Sequence, residues 1–306
     1  SESWSSTGGS WTSNFESEFA KLFNMKYAVA FNSGTSTLHA ALEAIGVGPG
    51  DEVLSPALTV FMDASATFHS NAVPVFVDVD PETFTMDPND LENKITSNSK
   101  AIIVVALYGL PADLDKIMKI AERYDLKVIE DNAQCFLSKY KGRLTGSIGD
   151  IASYSFENTK HLSCGEGGMI VTNSKELAAK AKSLKNLSYG KINRFMHEDI
   201  GFNYRLPNIS AAIGLGQFLQ KEKIFDEKER IYTRYKKNLE KINGIKIPVI
   251  KEWVTKYIMW VFNLHLDNNF PIKRDQLVKK LDKKNIETRN AFVPINKQKV
   301  LIKKYG

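Results

Sequence analysis

Three short stretches of the sequence contain side chains that could act together in amine chemistry. The stretch SFENTKHLSCGEGG (155–168) places Ser155 at the end of an apolar run, with Lys160 and then several glycines after it. A lysine is usually a solvated surface charge. Its amine becomes a nucleophile for an aldehyde when a partly dry pocket and a neighbouring cation lower its pKa. The glycines at positions 165, 167 and 168 would let the backbone pass close to a bound ligand.

A second stretch, NSGTST (32–37), follows an apolar run and opens a predicted helix. Gly34 allows a tight turn, and the backbone amides of Gly34 and Thr35 would project from the helix N-terminus, where a phosphate binds well. Serine and threonine are also common N-caps, so the same residues could simply begin a helix. Both interpretations stay open at this point.

The third stretch, VIEDNAQ (128–134), places Glu130, Asp131 and Gln134 at the end of a predicted strand. A buried carboxylate is costly unless a cation lies near it. Asp131 either caps a turn or pairs with a protonated ring nitrogen of a cofactor. At about 3 Å and an effective dielectric constant of about 20, such a pair gains on the order of 5 kcal/mol before desolvation. That energy is enough to keep a pyridine protonated, because each pKa unit costs about 1.4 kcal/mol.

The order of the three stretches is more informative than any one of them alone. A phosphate-binding turn comes first, then a strand-end aspartate, and then a serine and a lysine beside a glycine-rich turn. Pyridoxal 5'-phosphate (PLP) chemistry requires partners of these kinds for the phosphate, the ring nitrogen and the aldehyde. The sequence therefore favours a PLP site.

Apolar runs typical of strands alternate with amphipathic runs typical of helices from residue 27 to about residue 190. Strands are predicted at 27–31, 51–56, 73–80, 101–107, 127–132, 151–156 and 168–173, and helices at 35–46, 61–70, 112–124 and 174–187. Repeated strand–helix units predict an α/β fold with a large, mostly parallel sheet and helices on both faces. Ligands bind beyond the carboxyl ends of the strands in such sheets.

A smaller α+β domain is predicted in the C-terminal third of the chain. A long helical pattern runs from Pro207 to about Leu239, followed by a predicted strand at 258–267 and a helix at 273–284. We therefore predict a large domain at residues 1–206, which includes the N-terminal segment, and an interdomain helix with the small domain at 207–306. The sequence stops at LIKKYG without a predicted closing element, and we expect the small domain to be incomplete there.

Composition excludes some classes of protein and leaves others open. The 306 residues carry a net charge of +6, which suits an anionic ligand such as a phosphorylated cofactor or a sugar nucleotide. Solvated lysine-rich helix faces explain the charge equally well, so nucleic acid binding has little support. No apolar run is long enough to cross a bilayer. Cys135 and Cys164 show no metal-binding spacing, and so few cysteines suggest a reducing cytosol.

At this point the sequence resembles the sugar aminotransferases of the DegT/DnrJ/StrS type, which belong to the fold-type I PLP enzymes. The resemblance covers nearly the whole chain. It is carried by FESEFAKLFNMKYAVAFNSGTSTLHAAL (15–42), VPVFVDVDPETFTMDP (73–88), VIEDNAQ, SFENTKHLSCGEGG, GFNYRLPNISAAIGLGQ (201–217) and ETRNAFVPINKQ (287–298). It implies a homodimer of chains, each with a large PLP-binding domain and a small C-terminal domain.

The resemblance also implies roles for individual residues. Lys160 would bind PLP covalently through its amine, Asp131 would pair with the pyridine nitrogen, and Gln134 would lie near the phenolic oxygen. The phosphate would be held by Gly34, Thr35 and Ser155, and also by Asn203 of the GFNYR motif, which in family members reaches across a dimer interface. Arg205 of the same motif would either contact the phosphate or brace the interface.

Two positions depart from the family pattern. An aromatic residue that stacks on the cofactor ring usually follows the threonine of LT (58–59), but here that position is Val60 and Phe61 comes next. Either Phe61 supplies the stacking contact through a shifted loop, or the stacking is weaker. Asp63 stands where a small hydroxyl residue is common.

The resemblance implies a two-stage transamination, in which an amino donor, L-glutamate in the family, supplies the amino group that a keto sugar receives. The few cysteines predict a cytoplasmic location for this reaction. The acceptor that the resemblance favours is a nucleotide-linked keto-deoxy sugar of amino-sugar, cell-surface polysaccharide or lipopolysaccharide biosynthesis. A free keto sugar stays an alternative, and which keto carbon is aminated stays open. A PLP-dependent sugar dehydratase is the rival enzyme, but those relatives carry histidine where Lys160 stands, and the adjacent His161 is offset by one residue. A non-catalytic protein that keeps the fold would have lost the lysine or the aspartate.

Overall fold

The computed structural model describes residues 9–305. The helices are α1 (Ser10–Phe23), α2 (Gly34–Ile45), α3 (Met62–His69), α4 (Pro88–Asn93), α5 (Leu114–Arg123), α6 (Lys175–Lys185), α7 (Asn208–Leu219), α8 (Lys221–Leu239), α9 (Arg274–Asp282) and α10 (Lys299–Tyr305). The strands are β1 (Tyr27–Phe31), β2 (Glu52–Pro56), β3 (Val73–Val77), β4 (Ser99–Val105), β5 (Lys127–Asp131), β6 (Lys139–Tyr140), β7 (Arg143–Leu144), β8 (Ile151–Ser155), β9 (Gly168–Thr172), β10 (Ile245–Lys246), β11 (Val254–Lys256) and β12 (His265–Leu266).

The main sheet has seven strands in the order β1-β9-β8-β5-β4-β2-β3. The five strands from β8 to β3 are parallel, whereas β9 pairs antiparallel with both β8 and β1. The prediction of a mostly parallel sheet is therefore confirmed. The antiparallel edge was not predicted, because strand direction depends on how each connection crosses the sheet.

Both faces of the sheet are covered by helices, and the side chains of β4 show how the strands are buried. Ile102 and Val104 pack into a core with α5, while Ile103 and Val105 pack into a core with α2 and α6 on the opposite face. Successive side chains of a strand point to opposite faces. A strand buried on both faces is therefore apolar throughout, as in AIIVV, and the predicted layers are confirmed.

A third core lies where α1 and α7 pack together over the β8 and β9 end of the sheet. Phe15, Phe19 and Phe23 of α1 recur at every fourth position and are all buried. Their rings contact Phe156, Tyr154 and other aromatic residues of the sheet and of α7. The sequence prediction missed α1, although this spacing is typical of a buried helix face.

The C-terminal third differs from its prediction in two places. The predicted helix from Pro207 to Leu239 is two helices, because Gln220 leaves the helical conformation between α7 and α8. The predicted strand at 258–267 is wrong except at β12. Ile258 and Trp260 instead donate backbone N–H groups to the Ser138 hydroxyl and to the Tyr108 carbonyl, so this segment is anchored to loops of the large sheet.

Two small sheets lie outside the main sheet. β10 pairs with β12, and β11 pairs with β6, which in turn pairs with β7. The β11–β6 pairing connects the predicted small domain to a loop of the large one, and the domain boundary after residue 206 stays a prediction. None of the helices within residues 9–305 combines the length and the apolar character that a bilayer crossing requires.

Candidate active site

Lys160 lies in the loop that follows β8, under the ring of Trp260. Its Nζ is 3.9 Å from the centre of the Trp260 ring, and the Trp260 indole N–H donates to the backbone carbonyl of Thr159 at 2.7 Å. Burial lowers the pKa of Lys160, although the nearby Asp131 carboxylate acts in the opposite direction. The amine is therefore half-buried, close to a carboxylate, and easier to deprotonate than a surface lysine.

Asp131 ends β5 and has one carboxylate oxygen without a protein donor. Its Oδ1 accepts the backbone N–H of Ala133 at 2.9 Å. Its Oδ2 is buried, and no donor among residues 9–305 reaches it. Burial raises the pKa of Asp131, while the Ala133 N–H and the charge of Lys160 oppose that rise. A buried oxygen of this kind is suited to a cationic N–H group of a ligand.

Asp63, in the first turn of α3, lies beside Asp131. Its side chain is completely buried, and its Oδ2 accepts the hydroxyl proton of Thr59 at 2.9 Å. Its Oδ1 also has no donor within the described part of the chain. Burial raises the pKa of Asp63 well above its ordinary value, and the neighbouring Asp131 charge raises it further.

The N-terminus of α2 meets the end of β8 at the predicted phosphate position. Ser33 caps the helix by accepting the backbone N–H of Ser36, so the cap uses neither the Gly34 nor the Thr35 amide. These two amides are the first of the helix and have no intrahelical acceptor. A Cβ atom on Gly34 would lie 2.8 Å from the Cβ atom of Ser155. Only glycine therefore fits at position 34. Because glycine has no side chain, Ser155 can pack directly against the N-terminus of α2.

Gln134 is buried between this site and the C-terminal part of the chain. Its Oε1 accepts the backbone N–H of Tyr108 at 3.0 Å. The Tyr108 ring stacks on Phe292 with a centroid separation of 5.5 Å and an interplanar angle of 5°, and it also faces Trp260 at 6.5 Å. Trp260 and Phe292 therefore form an aromatic cluster with Tyr108, and this cluster lies beside Lys160.

Two other predicted site residues lie at the margin. Phe61 is half-buried at the start of α3, next to the departure at Val60. The Asn203 side chain is exposed, and its backbone carbonyl accepts a hydrogen bond from Asn32, two residues before Gly34. Arg205 donates to the Asn186 side chain at 3.1 Å within the same chain.

Several side chains near these motifs have structural roles instead. The Glu130 carboxylate accepts the backbone N–H groups of Gly146, Ile148 and Gly149, and so it closes the loop between β7 and β8. His161 is buried, its Nε2 lies 3.2 Å from the Met259 carbonyl oxygen, and burial lowers its pKa to about 3. That ring is committed to a backbone contact and is not placed to replace the Lys160 amine.

The structure places Lys160 close to Asp131, Ser155 against the N-terminus of α2, and Gln134 against the backbone of Tyr108. That these residues form one cofactor site stays a prediction. Sequence reasoning missed Trp260 and Tyr108, which lie far from the three motifs along the chain. It identified Asp63 only as a departure from a pattern. The sequence did offer one signal for Asp63, which is a charged residue in a predicted helix, four positions after Thr59.

These residues fit PLP. The unpaired Oδ2 of Asp131 suits the ring nitrogen, and the helix N-terminus with Ser155 suits the phosphate. Lys160 would supply the amine for the aldehyde, and its amine lies near enough to Asp131 for their charges to interact.

Comparison with known proteins gives evidence that is independent of this geometry. The family model of the DegT/DnrJ/EryC1/StrS aminotransferase family matches residues 1–306. A GDP-perosamine synthase of Caulobacter vibrioides is 40% identical over 294 residues, which cover 96% of this chain and 79% of that protein. A UDP-2-acetamido-2-deoxy-3-oxo-D-glucuronate aminotransferase of Pseudomonas aeruginosa is 36% identical over 290 residues, which cover 92% of this chain and 77% of that protein.

A solved structure with a similar fold is that of S. venezuelae DesV in complex with a ketimine intermediate. The two share 32% sequence identity with a TM-score of 0.91, and the match covers 97% of this chain and 78% of that one. The main sheet and its helices therefore have the fold of a PLP-dependent aminotransferase.

Proposed function

The chain belongs to the DegT/DnrJ/EryC1/StrS aminotransferase family, and on this premise we propose that it transfers an amino group from L-glutamate to a nucleotide-linked keto sugar. The protein is a PLP-dependent aminotransferase of amino-sugar biosynthesis. The observation that carries the assignment of its site is the buried, unpaired Oδ2 of Asp131 close to the half-buried amine of Lys160.

Each side chain of the site has a separate task in this proposal. PLP, when bound, supplies an aldehyde for the amine and a cationic ring that accepts electrons from the substrate carbon. Lys160 holds the cofactor, and its Nζ, once free, takes a proton from the substrate carbon and returns one. Asp131 keeps the ring nitrogen protonated through its charge. The amides of Gly34 and Thr35 and the Ser155 hydroxyl hold the phosphate.

The sugar class is supported by the relatives. One is named for a GDP-linked sugar and the other for a UDP-linked 3-oxo sugar, so both names include a nucleoside diphosphate. The net charge of +6 is compatible with a substrate that carries a diphosphate. The nucleotide differs between these two relatives, because one name contains GDP and the other UDP.

A direct test uses the two half-reactions separately. Purified protein with PLP is mixed with L-glutamate, and the loss of PLP absorbance reports transfer of the amino group to the cofactor. The aminated enzyme is then offered a panel of keto sugars with GDP, with UDP, or with no nucleotide. We expect recovery of the PLP spectrum with a nucleotide-linked 3-keto or 4-keto sugar. Recovery with free keto sugars alone, or with none, would contradict the proposed substrate.

We further propose that the enzyme acts as a homodimer in which Asn203 serves the site of the partner. Asn203 is exposed although it lies near the phosphate position. The adjoining segment also exposes large apolar side chains, at Ile192, Phe195, Met196 and Ile200. Clusters of exposed apolar residues are typical of interaction surfaces.

Mixed dimers test this sharing of sites. The variants Lys160→Ala and Asn203→Ala are each prepared alone, where we expect low activity, and then mixed under conditions of subunit exchange. If Asn203 acts across the interface, a mixed dimer contains one site with both Lys160 and Asn203, so activity returns. No gain on mixing, with exchange verified by mass spectrometry, would place Asn203 in its own chain's site.

We also propose that the protein functions in the cytoplasm. The support is that Cys135 and Cys164 are both buried free thiols, as is usual in a reducing compartment. Fractionation of cells that express the natural gene, with immunodetection of the protein, tests this location.

A further inference from the structure

Two buried carboxyl groups face each other in the candidate active site. Asp63 is fully buried, and Asp131 is 1% exposed. Oδ1 of Asp63 and Oδ2 of Asp131 each have no donor among residues 9–305, yet the two carboxyl groups are close enough to hydrogen bond with each other. Two carboxylates cannot form that bond, because a carboxylate only accepts. One proton between them would satisfy both oxygens.

The surroundings decide which carboxyl group holds that proton. Asp131 accepts a backbone N–H from Ala133 and faces the Lys160 amine, and both interactions favour its charged form. Asp63 accepts only the neutral hydroxyl of Thr59 among the hydrogen bonds described for its side chain. Placing two like charges side by side in a dry site is unfavourable. The arrangement therefore favours a charged Asp131 and a neutral Asp63.

We propose that Asp63 is a carboxylic acid at neutral pH, that its Oδ1–H donates to Oδ2 of Asp131, and that it is a positioning residue for that carboxylate. The positioning role of Asp63 rests on the proposed function, in which Asp131 faces the ring nitrogen of PLP. The shared hydrogen bond fixes the orientation of the Asp131 carboxylate and leaves a second lone pair on Oδ2 for the ring N–H. The proton stays within the pair, so no other reactant is needed.

The electrostatic surroundings agree with this placement of the proton. Burial and the neighbouring charge raise the pKa of Asp63 well above its ordinary value. Within the described residues, the ionisable group that faces Asp63 is Asp131, and the groups that face Asp131 are Asp63 and Lys160. The charge of Glu157 raises the pKa of Lys160, and the charge of Arg289 lowers it.

The pH dependence of stability in the cofactor-free protein tests the protonation without any reference to activity. A native Asp63 that keeps its proton binds more protons than the unfolded chain at pH values above about 4, so native stability falls as pH rises. Asp63→Asn removes this contribution. The measured quantity is the equilibrium constant for unfolding of wild type divided by that of Asp63→Asn. As the pH is raised from 5 to 8, this ratio should increase by up to about tenfold per pH unit.

Asp226→Asn is the matched control, because it removes an exposed carboxyl group from α8. Its stability should follow that of wild type in parallel across the pH range. Parallel curves for wild type and Asp63→Asn would overturn the proposal.

Infrared spectroscopy provides a measurement on the unmodified protein, which holds even if Asp63→Asn folds poorly. Cofactor-free wild type with carbonyl-labelled aspartate should show the C=O band of a protonated aspartic acid at pH 7, shifted by the label. The label separates protonated aspartic acids from the buried Glu130. Absence of a label-sensitive acid band at pH 7 would overturn the proposal.

The positioning role is tested by the affinity for PLP itself. Asparagine at position 63 keeps a donor for Asp131 and an acceptor for Thr59, so Asp63→Asn should retain most of the affinity. Asp63→Ala removes the donor and should weaken PLP binding by about tenfold, the effect of one buried hydrogen bond. Equal affinities for Asp63→Ala and wild type would overturn the positioning role. Failure of wild type to bind PLP would instead defeat the proposed function and leave the infrared result intact.

Discussion

Replacement of Asp131 by asparagine should separate catalysis from stability. Asparagine keeps the size of the side chain and an oxygen that can accept the Ala133 N–H, which Asp131 accepts at 2.9 Å. It removes the negative charge that would hold the ring nitrogen of PLP protonated. Because burial raises the pKa of Asp131, the charged form costs stability in the cofactor-free protein. Asp131→Asn should therefore unfold with a free energy no lower than that of wild type.

The size of the catalytic effect follows from the ion pair that is lost. A carboxylate and a ring N–H cation about 3 Å apart attract each other by about 5 kcal/mol at an effective dielectric constant of about 20. Desolvation of the buried carboxylate offsets part of that attraction, which leaves a net loss of about 3–4 kcal/mol. At 1.36 kcal/mol for each factor of ten, turnover should fall by roughly a hundredfold to a thousandfold.

Two assays measure these effects independently. Transfer of the amino group from L-glutamate to the cofactor is followed in a single turnover at saturating PLP, and stability is measured by urea unfolding without cofactor. Glu130→Gln is the matched control on the neighbouring carboxyl group. It leaves one of three backbone N–H groups without its acceptor, so it should lose about 1–3 kcal/mol of stability and keep the half-reaction. Near-normal turnover of Asp131→Asn would contradict the assigned role.

Two further predictions concern the phosphate position and a buried histidine. Gly34→Ala would place a Cβ atom 2.8 Å from the Cβ atom of Ser155, so it should weaken PLP binding, as measured by absorbance titration. Gly48→Ala is the control, because its Cβ atom would lie in open space and PLP binding should stay unchanged. Equal affinities of the two variants for PLP would exclude Gly34 from the site. Burial lowers the pKa of His161 to about 3. Between about pH 3 and pH 6.5, the unfolded chain therefore binds a proton at this histidine, whereas the native ring stays neutral. The free energy of unfolding should fall as the pH is lowered through this range. His161→Gln should make urea unfolding less sensitive to pH between 6 and 4, and an unchanged slope would contradict a neutral, buried ring.

The parts of the fold that the sequence predicted well are those with a local signal. The strand YAVAF, for instance, is apolar throughout because helices cover both faces of the sheet at this strand. It was predicted at its observed bounds. The helix after NSGTST was predicted within a residue at each end because Ser33 caps it and Gly46 ends it with a positive φ of 88°.

The parts that failed depend on contacts between distant segments. Residues 258–260 are apolar like a strand, yet their backbone groups bond to Ser138 and Tyr108 more than 100 positions earlier. The apolar pattern records only that these residues are buried. Trp260 was missed as part of the site for the same reason, because no local motif indicates that its ring covers Lys160.

The candidate site shows the same division. Lys160, Asp131 and Gly34 were predicted from short motifs, and the structure places their elements at one edge of the sheet. The proposed pairing of Asp63 with Asp131 would join the first turn of α3 to the end of β5. A pairing of this kind can be inferred only when the donors around both oxygens are known.

The position of the covalent link to the cofactor is the most direct test. The protein with bound PLP is reduced with borohydride, digested, and mapped by mass spectrometry, with Lys160→Ala treated in parallel. We predict the reduced PLP adduct on the peptide that contains Lys160, and no adduct at any defined lysine in the variant. An adduct on another amine of the wild-type protein, or none at all, would contradict the assignment of the active site.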